Sequence, residues 1–202
     1  MPSPIPFSRY ADAPEDNGVR MPADELAANI ENTVISELLG RLETFTSGKE
    51  GAAAFPWAAR FAMGYPLPRW QRQLKWSPEQ KVTFIFSIWS GVDVGTYMVN
   101  NAYAFEADGT FRALSEVLLD GQQRLTALEE YVTNQFPVPD VNGVPRYWRE
   151  LSRIERRRFG QFHFCKSTVS SWDEEKLIHA YNLRAFGGTP HEESERASLA
   201  AK

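Results

Sequence analysis

Val117-Leu118-Leu119-Asp120-Gly121-Gln122-Gln123-Arg124 is the stretch on which the rest of the chain is organised. An apolar run leads into Asp120, and a helical pattern leads out, with Leu125, Leu128, Val132 and Phe136 on one face. Apolar run, glycine turn and 3.6-residue period together predict strand, tight turn and helix. The polar cluster then falls on the first helical turn. Backbone N–H groups there lack intrahelical partners and favour an anion. Arg124 carries a fork of donors suited to phosphate, and Gln122 and Gln123 add neutral donors and acceptors. A plainer reading stands beside this one: Asp120 caps the helix, Arg124 is its i+4 ion-pair partner, and the glutamines are solvated.

Working outward, the 202 residues suit one domain with appended ends. Residues 1–22 are rich in proline and charge and read as an extended arm whose Phe7 and Tyr10 can dock on the body. Residues 23–191 form the domain, and 192–202 a polar tail. A net charge of −4 gives no overall attraction to nucleic acid, so any such contact needs a local basic patch. The single cysteine, Cys165, excludes an intrachain disulfide and a cysteine-based zinc site and fits a reducing, cytoplasmic compartment. Its aromatic neighbours, Phe162 and Phe164, suggest a buried structural thiol. The most apolar run, Val82 to Trp89, is too short to span a bilayer, and the N-terminus does not read as a signal peptide.

Pro22 to Leu42 keeps a helical spacing through Leu26, Ile30, Val34, Leu38 and Leu39. Gly48 to Ala54 is a connector. In Tyr65-Pro66-Leu67-Pro68-Arg69-Trp70-Gln71-Arg72 the prolines enforce an extended path. Gln71 and Arg72 stand between Trp70 and Trp76, either as a solvated loop or as a second polar arm facing Asp120. Ser77-Pro78-Glu79-Gln80 is a capping box with proline at the first helical position, and Gly91 supplies a stop. A strand over 94–100 follows. A hairpin turning at Asp108-Gly109 then delivers the 115–119 strand, and the helix after it covers about 121–136.

Pro137 to Pro145 is a loop. Trp148 to Phe159 carries Arg149, Arg153, Arg156, Arg157 and Arg158 among two glutamates, either a solvated helix face or a phosphate-backbone patch. A strand within Gln161 to Val169 precedes a helix opened by Trp172-Asp173-Glu174-Glu175. That helix ends at Gly187-Gly188-Thr189-Pro190, where a double glycine suits both a helix stop and close backbone approach to a ligand.

Three segments in order carry a resemblance. They are Pro68-Arg69-Trp70-Gln71-Arg72, Asp120-Gly121-Gln122-Gln123-Arg124, and Tyr181-Asn182 through Gly187-Gly188-Thr189-Pro190. Over residues 65–191 the chain resembles the N-terminal domain of GmrSD-type (type IV) restriction proteins, also found in SspE-like defence proteins and placed in the ParB/sulfiredoxin-like superfamily. The resemblance implies a mixed α/β (α+β) ParB-like core, a small mixed sheet with flanking helices. It implies nucleoside triphosphate binding and hydrolysis, which in the restriction proteins gates a separate nuclease that attacks modified DNA. Carried over by position, Asp120, Gln123 and Arg124 are the catalytic candidates. Gln71, Arg72, Gly121, Gln122, Asn182, Gly187 and Gly188 join Arg124 as the nucleotide-binding set, and Asp120 is the candidate Mg²⁺ ligand. The third segment departs from the family pattern: Leu183 and Ala185 stand where an arginine and an asparagine are usual, with Arg184 and Asn182 adjacent. No His-Asn-His nuclease pattern follows the resemblance, and the short form is similar to stand-alone versions typical of phage and mobile elements.

The expected activity is NTP hydrolysis or phosphoryl transfer in DNA modification, restriction or anti-restriction. The expected partners are a nucleotide, DNA through Arg149, Arg153, Arg156 and Arg157, and a nuclease or other defence protein. The alternatives are a non-catalytic DNA-binding or modification-sensing module, a ParB-like nuclease, and a binding protein that decoys a host defence complex. Oligomeric state is left open.

Overall fold

The computed structural model describes residues 21–22, 26–48 and 51–186. Most of the expected arm, the whole tail and the Gly187-Gly188 pair lie outside the described residues. The fold is mixed α+β, as expected. A four-stranded sheet, in the order β1-β8-β4-β5, is built from Asn29–Glu31 (β1), Tyr97–Asn100 (β4), Leu118–Asp120 (β5) and Lys166–Val169 (β8). The β1–β8 and β4–β5 pairs are antiparallel and β8–β4 is parallel. Phe61–Ala62 (β2) pairs with Tyr65–Pro66 (β3), and Val138–Pro139 (β6) with Pro145–Arg146 (β7), as two small ribbons. The helices are Ile35–Thr46 (α1), Pro78–Trp89 (α2), Gln122–Val132 (α3), Arg153–Gly160 (α4) and Glu174–Phe186 (α5).

Both faces of the sheet are covered, and β5 shows why. Leu118 belongs to the main core with Ile35, Leu38, Ile85, Leu125, Leu128 and Phe159, whereas Val117 and Leu119 join Met98, Val169 and Leu177. Alternate residues of one strand thus bury against the α1–α4 side and the α5 side. Such two-sided burial accounts for the unbroken apolar run of 117–119.

Several local signals act as their chemistry dictates. Ser77 Oγ accepts from Gln80 N–H at 3.3 Å, and Gln80 Oε1 accepts from Ser77 N–H at 2.8 Å, closing the capping box of α2. Asp173 Oδ1 accepts from the N–H groups of Glu175 and Lys176, starting α5. Phe105 and Phe111 pair across the Asp108-Gly109 turn.

Other expectations are corrected. The helix expected over Pro22 to Leu42 begins only at Ile35, because 29–31 pair with the edge of β8. The Leu26 and Ile30 terms of that helical period do not share its buried face. Ile30 is exposed on β1, and Leu26 packs with the α5-side cluster. α3 stops at Val132, four residues early, where Asn134 takes φ 65 and turns the chain so that Phe136 packs from a loop. The Pro137 to Pro145 loop closes as the β6–β7 ribbon. Trp148–Glu150 is a separate 3₁₀ turn, cut from α4 at extended Leu151. Cys165 is half-buried rather than buried, with its Sγ 3.6 Å from Asn32 Oδ1.

Candidate functional site

The turn between β5 and α3 is the centre of the site. Gly121 caps α3 with φ 102, a left-handed backbone that glycine tolerates best. Its Cα faces β4 so closely that a Cβ would lie 2.7 Å from Tyr97 Cβ. No side chain caps α3, so its first-turn N–H groups meet a cleft rather than a capping oxygen.

The extended 71–76 segment lies against this helix start. The segment joins no sheet, so its backbone groups lack ladder partners, and side chains supply them. Arg60 donates to the carbonyls of Gln71 (2.5 Å) and Arg72 (3.3 Å). Gln122 Nε2 donates to Arg72 O at 2.8 Å. Gln123 Oε1 accepts from the N–H groups of Lys75 (3.2 Å) and Trp76 (3.3 Å), while its Nε2 donates to Gln73 O. The two first-turn glutamines therefore bolt the second segment alongside the first. Gln71 is buried, with Nε2 donating to Leu119 O at 3.4 Å. Oε1 of Gln71 and Oε1 of Gln122 are buried without a hydrogen-bond partner.

α5 closes the third side. Trp70 Nε1 donates to Glu174 Oε1 at 3.2 Å, and its ring meets Tyr181 at 5.3 Å between centroids. Gln71, Arg72, Trp76, Asp120, Gly121, Gln122, Gln123, Arg124, Tyr181 and Ala185 then line a cavity of about 100 Å³.

Beside Arg72, three charged groups are tied together at the cavity edge. Arg124 donates to Val94 O at 2.8 Å, to Thr96 O at 3.0 Å and to Asp120 Oδ2 at 3.2 Å. Arg184 Nε donates to the same Asp120 oxygen at 2.8 Å, and its Nη2 donates to Thr96 O and, at 2.6 Å, to Thr96 Oγ1. Burial pushes the Arg124 guanidinium below its usual pKa; Asp120 opposes that shift and Arg184 adds to it. An arginine stays charged through such a shift at working pH.

The structure brings together Gln71, Arg72, Asp120, Gly121, Gln122, Gln123 and Arg124. Asn182 is half-buried on α5 and does not line the cavity, and Gly187 and Gly188 lie outside the described residues. Arg149, Arg153, Arg156 and Arg157 lie in or after the 3₁₀ turn and line no part of it. Two roles read from sequence change character. Gln123 has both ends of its amide committed to the 73–76 backbone, a positioning task. Arg124 anchors the 94–96 backbone as well as facing the cavity. Arg184 and Thr96 were not in the expected set. Arg184 had two legible signals: it adjoins Leu183, where the family pattern has an arginine and a shifted role was open, and it is i+3 from Tyr181 on the side of α5 that turns inward. Thr96 had none, since its carbonyl matters and its side-chain type does not announce that.

One carboxylate lines the cavity, and two guanidinium groups already neutralise it. Among the described residues no group of three or more His, Cys, Asp or Glu is placed to hold a metal ion. Asp120 is thus the single carboxylate that the described residues offer a Mg²⁺ in the cleft. No helix among the described residues is long and apolar enough to cross a membrane.

Fold and cleft together define a small α+β domain with a polar, arginine-bearing pocket at a strand-to-helix turn. Residues 58–197 match the GmrSD restriction endonuclease, N-terminal domain, and the chain belongs to that family. The match spans all three segments that form the cleft and places the chain among restriction-associated domains. Comparison with the curated proteins and with the solved structures gave no match.

Proposed function

We propose that the cleft at the start of α3 holds the phosphate end of a nucleoside triphosphate. The domain then hydrolyses that nucleotide or transfers its terminal phosphoryl group, in the service of restriction of modified DNA. One observation carries the reading: an uncapped helix start, Arg72 and Arg124 converge on one cavity from segments 50 residues apart. At about 100 Å³ the cavity is well below the ~300 Å³ at which pockets for drug-sized ligands begin. It takes a phosphoryl group, and the base and ribose lie outside it. Phosphoryl transfer needs positioning and charge neutralisation more than covalent help from the protein. Helix N–H groups and Arg72 supply neutralisation, and the Gln122–Gln123 bolt fixes where Arg72 stands. Any Mg²⁺ arrives on the phosphates of the substrate. A ParB-like core and a gated nuclease partner belong to this same reading and rest on the family membership.

The test is Arg72→Ala, titrated with ATP, GTP, CTP and UTP by calorimetry. The Arg72 carbonyl, which the substitution retains, accepts from Arg60 and Gln122. Affinity for the bound triphosphate falls at least tenfold, about 1.4 kcal/mol. Unchanged affinity sinks the phosphate reading.

A second reading, DNA contact through α4, is favoured by Arg153 and Arg157. Both are exposed, four residues apart on one side of the helix, and neither pairs with a carboxylate among the described residues. Arg156, by contrast, is built in: its Nη2 donates to Arg149 O at 2.8 Å and its guanidinium lies over Trp148. Each phosphate contact contributes roughly 0.9 to the slope of log K against log salt. The Arg153→Ala/Arg157→Ala double variant lowers that slope by about two in a duplex-binding assay, while Arg156→Ala acts mainly on stability. An unaltered slope removes α4 from the interface.

A further inference from the structure

Among the described residues Asp120 is the one carboxylate lining the cleft, and one of its oxygens is held by two guanidinium groups. A single oxygen, Oδ2, accepts from Arg124 at 3.2 Å and from Arg184 at 2.8 Å. Both guanidinium groups also donate to the Thr96 carbonyl. Two cations are thus gathered on one carboxylate oxygen and one carbonyl oxygen, and their sum with Asp120 is +1. Like charges held this close need an anion between them. Arg184 comes from α5, whose Tyr181 and Ala185 form the cleft wall, whereas Arg124 and Asp120 belong to the opposite wall. The Arg184–Asp120 pair therefore ties α5 to the sheet at the edge of the cavity proposed above for a phosphoryl group.

We infer that Asp120 is a stand-in for the ligand's own anion. Without ligand it neutralises Arg124 and Arg184; a terminal phosphoryl group entering the cleft replaces it on these guanidinium groups, so that the ligand holds α5 to the body. A phosphoryl group has three acceptor oxygens and up to two negative charges, and guanidinium groups grip such oxygens in pairs. It satisfies two arginines better than one carboxylate oxygen does. The inference rests on the phosphate reading and adds to it: the anchor of α5 passes from Asp120 to the ligand when the cleft is occupied.

The test opposes two roles for Asp120. Removing a negative charge beside the cleft strengthens anion binding in either role, so α5 carries the distinction. A metal-binding or base role leaves α5 as protected in Asp120→Asn as in wild type, whereas a stand-in role loosens it until the anion arrives. Inorganic tripolyphosphate, without metal, is titrated into wild type, Asp120→Asn and Arg184→Gln, and amide exchange is followed over residues 174–186. Asp120→Asn binds tripolyphosphate at least threefold tighter, and Arg184→Gln about tenfold weaker. In Asp120→Asn without ligand, α5 exchanges about tenfold faster than in wild type, and tripolyphosphate restores its protection. Weaker binding by Asp120→Asn, or α5 protection indifferent to ligand, overturns the inference and leaves the phosphate reading standing. If wild type binds neither tripolyphosphate nor any nucleoside triphosphate, both fall. Where Asp120→Asn alone fails to fold, Asp120→Asn/Arg184→Gln removes one charge of each sign. In that pair α5 exchange no longer responds to tripolyphosphate, and a preserved response overturns the coupling.

Discussion

Gly121→Ala lowers stability by about 2–5 kcal/mol in urea unfolding. Two costs add: about 1–2 kcal/mol for a Cβ in the left-handed region, and about 1–3 kcal/mol for overpacking. The overpacking is against backbone as well as side chain. The new Cβ meets Tyr97 Cβ at 2.7 Å and Tyr97 Cα at 3.2 Å, and Tyr97 is buried in β4 and hydrogen-bonded into the sheet. Gly109→Ala is the internal control. Gly109 also has positive φ, at 82°, but no atom lies within 4 Å of its added Cβ. It loses only the conformational part, so the difference between the two variants measures the close approach of the site turn to β4. Equal losses for both would show that Gly121 is required for its torsion alone.

Arg124→Met destabilises the fold by about 1–3 kcal/mol, the cost of leaving part-buried acceptors short of a donor, because Arg184 still pairs with Asp120. The side chain is 20 % exposed, and its removal leaves the carbonyls of Val94 and Thr96 each one donor short. Met keeps much of the packed volume, including the approach to the Phe164 ring, so the loss reports the hydrogen bonds and the charge. The consequence for function is direct. Lost nucleotide binding in an Arg124 variant follows from disturbance of the 94–96 backbone as readily as from lost phosphate contact. Arg72→Ala separates the two, because it removes a cation from the cleft and leaves the backbone bolts in place. If Arg124→Met unfolds at the wild-type urea midpoint, Arg124 is a ligand-facing residue without an anchoring role.

How much of the site was legible follows from which interactions are local. The β5–turn–α3 succession is written in contiguous residues: an apolar run, a glycine, then a helical period. The capping box at Ser77 and the turn at Gly109 are equally local, and both form as read. The β1 error has the opposite origin. The apolar positions from Leu26 to Leu39 satisfy a helical period, but Asn29 to Glu31 gain ladder bonds from β8, residues 166–168 in the chain. Pairing across that separation overrides a spacing pattern and leaves no mark in the local sequence. The N-terminal end of α1 is likewise placed from outside, with Ile35 N–H donating to Phe162 O.

The glutamines illustrate the same division within the site. Their presence on the first turn of α3 could be read, and so could their capacity to give and accept hydrogen bonds. Which backbone they would meet could not. Gln122 and Gln123 reach residues 72–76 because Trp70 and Trp76 dock that segment on α5 and α2. Arg184 passed unlisted for a related reason: its importance lies in sharing Asp120 and the Thr96 carbonyl with Arg124, and a shared acceptor is a property of three elements at once.

The Asp120–Arg124 turn and the polar identity of its neighbours follow from the sequence alone, because each resides in contiguous residues. The tertiary structure decided what those residues do to one another. Burial on both sides of β5 brings α5 and the 71–76 segment onto the same helix start. Low solvent access there makes every donor seek an acceptor, and Asp120 takes two arginines. The carboxylate that reads in the sequence as the i+4 partner of Arg124 has that partner in the folded protein and gains Arg184 as a second.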